Sequence, residues 1–420
     1  MNTLEIISVL VATAALFGWL SSRVLRLPIT IGTMLLTVVT TLSLAGLGRL
    51  APGVHEWAEH LAHSVDFESL IMHGMLPLLL FAGAFLLDLD HLEQEKIPVA
   101  VLAVGGTLLS VFAVAGLMFV ISGTGARFME CLIFGALIAP TDPIAVLELL
   151  RRVGIPKALE AQLAGESLFN DGLGAVLFLT MIDIARGNAP TPQHVAGMLL
   201  LQAGGAVVLG IAAAWLVSQL MSLVNAYQVD ILLTLALALG GYVLADLWNL
   251  SAPLEAVVAG IALRHFNRKQ PEGRIADDRV DEFWTLLDEV QNSLLFVLLG
   301  LEAMAVRLDA TTFRAGLAAI LSVSAVRLGV VALCLAILRV CQKNYRSSVK
   351  TLTWGGLRGG LSIALALSVP ATLGGVQTGR WIFAATYLVV VFSIILQGGS
   401  LQFALARRQR RIATAQVHSS

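Results

Sequence analysis

The sequence predicts an all-α polytopic membrane protein of about 13 transmembrane helices, arranged as inverted repeats with two broken helices. Three observations predict it. The chain is 57% hydrophobic and only 13% charged, where a soluble domain carries about 25% charged residues, and its mean hydropathy is +0.84. Apolar runs recur along all 420 residues, each near the roughly 20 residues needed to cross the hydrocarbon. Two of these runs are interrupted at corresponding positions, one by paired prolines and one by clustered glycines.

Taken in order, the spans fall at 4–25, 29–48, 70–87, 97–122, 129–150, 158–185, 194–222, 229–248, 252–266, 284–305, 311–340, 347–370 and 380–405. The first begins near Met1 with Glu5 and no basic segment ahead of it, so it reads as a retained helix and not a cleaved signal. The ninth is short. Lys and Arg in the connecting segments test the count, because they set orientation. With the N-terminus outside and the C-terminus cytoplasmic, inside segments hold 19 of these residues and outside segments six. Thirteen crossings of the inner (plasma) membrane account for that bias, and one helix more or fewer scrambles it. A near-neutral net charge of -1 gives no reason to expect a nucleic-acid partner. The cysteines show no metal spacing, and Cys131 and Cys334 read as buried small hydrophobes.

Glu5, Glu148, Asp183, Asp246, Glu255 and Glu302 lie near span ends, where a charge snorkels to the interface. Asp142, Glu166, Asp171, Arg327 and Arg358 lie well inside their spans. A charge at that depth costs about 2.5–3.5 kcal/mol on insertion scales, so such residues pair or line a watery path. In the fifth span, Pro140 and Pro143 bracket Thr141 and Asp142. Each proline removes an N–H and with it a helical bond. Free carbonyls and a carboxylate at a covered break form a natural cation site. In the twelfth span, TWGGLRGGLS places four glycines around Arg358. Each interruption is the middle span of a triplet, 97–185 and 311–405, and the two triplets run in opposite senses. Paired breaks of this kind point to the site of a secondary transporter.

The sixth span carries GESLFNDG at 165–172. Residues four apart share a helical face, so Ser167 and Asp171 form one stripe and Glu166 and Asn170 the next. One stripe is placed to face the break at Asp142. The other is placed to face protein, with Arg327 as the candidate partner of a buried charge.

APTDP (139–143), GESLFNDG (165–172), the arginine of AVRLG (325–329) and GGLRGGLSIALAL (355–367) together resemble monovalent cation:proton antiporters of the NhaP and sodium–proton exchanger type. The resemblance implies a thirteen-helix, NhaA-like antiporter fold in a single transmembrane domain, 1–406. Its core helices would lie at about 97–185 and 311–405. A dimerisation scaffold would lie at about 4–87 and 194–305, with a short cytoplasmic tail at 407–420. It implies that Asp171 is the ion- and proton-carrying carboxylate, and that Asp142, Ser167 and the Thr141 carbonyl join it around sodium. It implies a buried pair of Glu166 with Arg327. Asn170 is then the amide of the branch that exchanges one proton per cation, and Arg358 steadies the second break. The expected activity is electroneutral exchange of sodium or lithium for protons by alternating access, in a homodimer, with no cofactor. A potassium/proton antiporter is the nearest alternative. A cation channel fits two inverted breaks poorly, and no recurring Ser/His or paired-Asp arrangement favours an enzyme. In one departure, the acid that often follows the phenylalanine of the third span is here Ala82, and Asp88 and Asp90 further on do not replace it.

Overall fold

The computed structural model of the chain describes residues 3–25, 29–47, 69–123, 125–142, 146, 147, 150, 151, 154–187, 191–224, 226–268, 275–303, 309–342, 347–370, 373, 376–398 and 400. These are helical almost throughout. The first elements are α1 (Thr3–Leu20, running into a π-helical turn Ser21–Leu25), α2 (Ile29–Leu47) and α3 (a π-helical turn Leu70–Met75 continued as Leu76–Phe85). A short α4 (Leu89–Gln94) leads into α5, in which Lys96–Ala100, Val101–Gly106 and Thr107–Ile121 follow end to end. Then come α6 (Phe128–Ile138), α7 (Lys157–Ala185), α8 (Pro192–Leu223), α9 (Tyr227–Leu247), α10 (Ala252–Asn267) and α11 (Ile275–Ala303). The chain closes with α12 (Ala310–Cys341), α13 (Val349–Gly355), α14 (Gly360–Leu367) and α15 (Val376–Phe392), which ends in a π-helical turn Ser393–Gly398.

Helix ends follow from local chemistry. The Ser251 hydroxyl accepts from Leu254 N at 3.3 Å to start α10, with Pro253 in the first turn where its missing N–H costs nothing. Asp309 opens α12: its carboxylate accepts from Thr312 N at 2.7 Å while Asp309 N donates to Thr312 Oγ1 at 2.9 Å. Gly187, at φ 84°, follows the end of α7 in a conformation that favours glycine.

Among the described residues, seven helices are long and apolar enough to cross a membrane, and three shorter apolar helices accompany them. The second broken helix falls short of that length because it is two pieces, α13 and α14. The outward faces of α5 and α12 suit lipid: Val120 is 78% exposed and Val340 84%. Inward, the largest buried cluster is drawn from the two predicted triplets, with Phe134, Leu137, Phe178, Val331, Leu335 and Ile382 among its members. A separate cluster joins α3, α8, α9, α10 and α11 around Phe81, whose ring centroid lies 4.7 Å from that of Trp284. Cys131 and Cys334 are both buried.

Two expectations change. α11 starts at Ile275 rather than 284, because its first turns, IADDRVDEF, are too acidic to register as an apolar span. Glu255 does not snorkel. It is fully buried against Gly241, whose hydrogen leaves the carboxylate room. The predicted tail, 407–420, and Pro143, the second proline of the first break, lie outside the described residues.

Candidate ion-binding site

The site begins where two helices stop. α6 ends at Ile138, just ahead of Pro140, which has no N–H to continue it. α13 ends at Gly355 and α14 begins at Gly360, leaving Gly356, Leu357, Arg358 and Gly359 non-helical. The two breaks cross. Asp142 N donates to Leu357 O at 2.8 Å, forming an isolated antiparallel bridge. Glycines beside the crossing leave room for the side chains of the first break. A Cβ on Gly359 would lie 2.5 Å from Asp142 Oδ2, and one on Gly174 of α7 would lie 2.6 Å from Pro140 Cγ.

A helix end leaves carbonyls without donors and carries the negative end of the helix dipole. Arginines fill both needs here. The Arg358 guanidinium donates to Ala139 O and to Pro140 O, the latter at 2.9 Å. Its own N–H donates to Ser393 Oγ at 3.0 Å, and that hydroxyl donates to Gln397 Oε1 at 2.6 Å. On α12, Arg327 donates through Nη2 to Leu352 O at 2.9 Å, in the last turn of α13. The same guanidinium pairs with Glu166: Nη1 meets Oε1 and Nη2 meets Oε2 at 3.1 Å. Glu166, Arg327 and Arg358 are all buried.

Beside the crossing lies a cavity of about 410 Å³ lined by Thr141, Asp142, Ser167 and Asp171. Asp142 and Asp171 are partly exposed to it, and Asp171 lies within electrostatic reach of both Asp142 and Arg358. Thr141 is held from α7 by two side chains. Its N–H donates to Asn170 Oδ1 at 3.1 Å, its hydroxyl accepts from Asn170 Nδ2 at 2.8 Å, and that hydroxyl meets Ser167 Oγ at 2.9 Å. Asn170 is thus turned to the break itself, not to a distant helix. Ser167 and Asn170 are three apart and so nearly share a face, while Glu166 points away to Arg327. All eight residues singled out from the sequence therefore meet within one crossing of four chain segments.

Sequence reasoning missed the far wall of the cavity. α11 contributes Thr285, Asp288, Glu289 and Asn292 to it. Their spacing marks one helical face, and that periodic polar stripe was the available signal. Ala82 is fully buried in the Phe81–Trp284 cluster, whereas α3 lines the cavity with Leu79, Leu80 and Gly83.

A model of the family described as "Sodium/hydrogen exchanger, transmembrane" matches residues 11–407. The chain belongs to the sodium/hydrogen exchanger family. It is 39% identical over 411 residues to the Na(+)/H(+) antiporter NhaP of Pseudomonas aeruginosa, covering 95% of each chain. It is 30% identical over 394 residues to the Na(+)/H(+) antiporter NhaH of Halobacillus dabanensis, covering 91% of this chain and 92% of that one. Among solved structures, the sodium proton antiporter MjNhaP1 from Methanocaldococcus jannaschii superposes with a TM-score of 0.72 at 20% identity, covering 96% of this chain and 99% of that chain. That likeness shows the fold. As a sodium/hydrogen exchanger the protein is a secondary transporter and not an enzyme.

Proposed function

We propose that the protein exchanges one sodium ion for one proton across the inner membrane by alternating access, with Asp171 as the carboxylate for which the two compete. The observation that carries this reading is the charge of the crossing. Asp142, Asp171 and Glu166 bring three carboxylates; Arg327 and Arg358 bring two guanidiniums. The empty site is left with one negative charge. One sodium or one proton neutralises it, and a neutral site is the form that crosses a low-dielectric region at least cost. Two loaded forms of equal charge make the exchange electroneutral.

Each residue then has a role. Asp171 and Asp142 supply charge to the cation, and Ser167 and Thr141 supply neutral oxygens, the hard ligands that an alkali cation takes. Asn170 holds Thr141 in place. Glu166 and Arg327 keep α7 fixed to α12 and α13, and Arg358 finishes the first half-helix. The cavity reaches the surface at the exposed Arg151, Thr285 and Glu289, which the charge bias assigns to the cytoplasmic side, so this form is inward-open. The triplets carrying the breaks move as the core against the helices at 4–87 and 194–305.

The test is sodium-driven proton flux in vesicles with an imposed gradient. Asp171→Asn abolishes it, with lithium and potassium run in parallel to rank the cations. Robust sodium exchange by folded Asp171→Asn protein contradicts the assignment.

A further inference from the structure

The cavity that serves Asp142 and Asp171 has a second wall. Where α3 forms it, the lining is isoleucine, leucine and glycine. Among the described lining residues of that wall, the polar side chains come from one face of α11: Thr285, Asp288, Glu289 and Asn292. Asp288 is partly buried between the exposed Glu289 at the mouth and the buried Asn292 deeper in. Asn292 Nδ2 donates to Asp288 O at 2.8 Å and to Asp288 Oδ1 at 3.2 Å, which fixes the carboxylate on the cavity side of the helix. Asp288 also lies within electrostatic reach of Asp142, across the cavity on the broken helix.

We propose that Asp288, positioned by Asn292, is a capture site for the transported monovalent cation, a first seat between the mouth and the Asp142–Asp171 pair. The inference rests on the antiport reading of that pair. In a half-buried site a carboxylate attracts a monovalent cation more strongly than it does in bulk water, and it offers oxygens in exchange for part of the ion's water. The helix that carries it gives the site a direction. Asp142 and Asp171 travel with the core, whereas Asp288 stays with the mouth. The capture site therefore acts on ions that arrive through this mouth and does nothing for ions bound when the core faces the other way. The same negative charge draws protons as well as cations, so both apparent affinities on that side depend on it.

Vesicles of opposite orientation carrying Asp288→Asn, Asp288→Glu and wild-type protein separate these effects, with sodium as the probe. With sodium presented at the mouth side, Asp288→Asn raises the sodium KM about tenfold, equal to about 1.4 kcal/mol, while Asp288→Glu stays near wild type. With sodium presented at the opposite side, the three proteins share one KM. A residue that only holds α11 in shape would lower activity from both sides alike. An unchanged mouth-side KM in Asp288→Asn, or an equal rise from both sides, overturns the capture site and leaves the core assignment standing. Absence of sodium-driven flux in the wild-type protein overturns the antiport reading and the capture site with it.

Discussion

The guanidinium of Arg358, at the break in one triplet, donates to the carbonyl of Pro140, at the break in the other, at 2.9 Å. Arg327 does the corresponding work for the second break by donating to Leu352 O. Each half-helix is thus finished by an arginine from outside it. Free carbonyls at membrane depth need donors, and these arginines supply donors together with positive charge. The charge is in turn what lets three carboxylates share one buried crossing. Structural and electrostatic roles are therefore not separable at Arg358.

Removing that guanidinium leaves two buried carbonyls without donors, at roughly 1–3 kcal/mol each. Arg358→Ala is expected to lower stability by about 2–6 kcal/mol, with Arg358→Lys intermediate because an ammonium is a point donor and not a fork. Chemical unfolding of the purified protein reads this, and an unchanged midpoint in Arg358→Ala contradicts it.

The Glu166–Arg327 pair makes a prediction about charge. Losing one partner of a buried pair costs roughly 3–5 kcal/mol, so Glu166→Gln and Arg327→Met each fold poorly. The double variant removes one charge of each sign and leaves the crossing with its single negative charge. It is expected to recover folded protein and measurable exchange. If the double variant transports no better than the worse single variant, the pair is more than a structural lock. A well-folded but inactive Glu166→Gln would place Glu166 at the ion.

Gly359 tests the close approach of the two breaks. A Cβ there would lie 2.5 Å from Asp142 Oδ2. Over-packing of this kind costs about 1–3 kcal/mol. Gly359→Ala is therefore expected to raise the sodium KM about ten- to hundredfold by displacing that carboxylate. Gly240→Ala serves as the control, since nothing lies within 4 Å of its Cβ position. Equal transport by the two variants would show that Asp142 tolerates displacement.

Much of this site was legible in the sequence because breaks in membrane helices have few causes. Pro140 and the glycines around Arg358 announced both interruptions, and the stripes of GESLFNDG separated Glu166 from Asp171. What the sequence could not give was contact across distance. The Asp142–Leu357 bridge joins segments more than two hundred residues apart through backbone atoms that have no side-chain signature. The reach of Arg358 to α6 is of the same kind. Asp288 escaped for another reason: it falls in the first turns of the predicted span 284–305, and a polar stripe there does not say which cavity it faces. Glu255 shows the converse error. A charge near a span end reads as interfacial, but Gly241 on a neighbouring helix makes room for this carboxylate inside.

The central claim is that the crossing carries one negative charge and that one sodium or one proton neutralises it. The most direct test is the null point of exchange in proteoliposomes, where imposed sodium and pH gradients balance and net flux stops. Electroneutral one-for-one exchange gives a null at equal sodium and proton concentration ratios, unmoved when a potassium–valinomycin potential is applied. A null that shifts with voltage would contradict it.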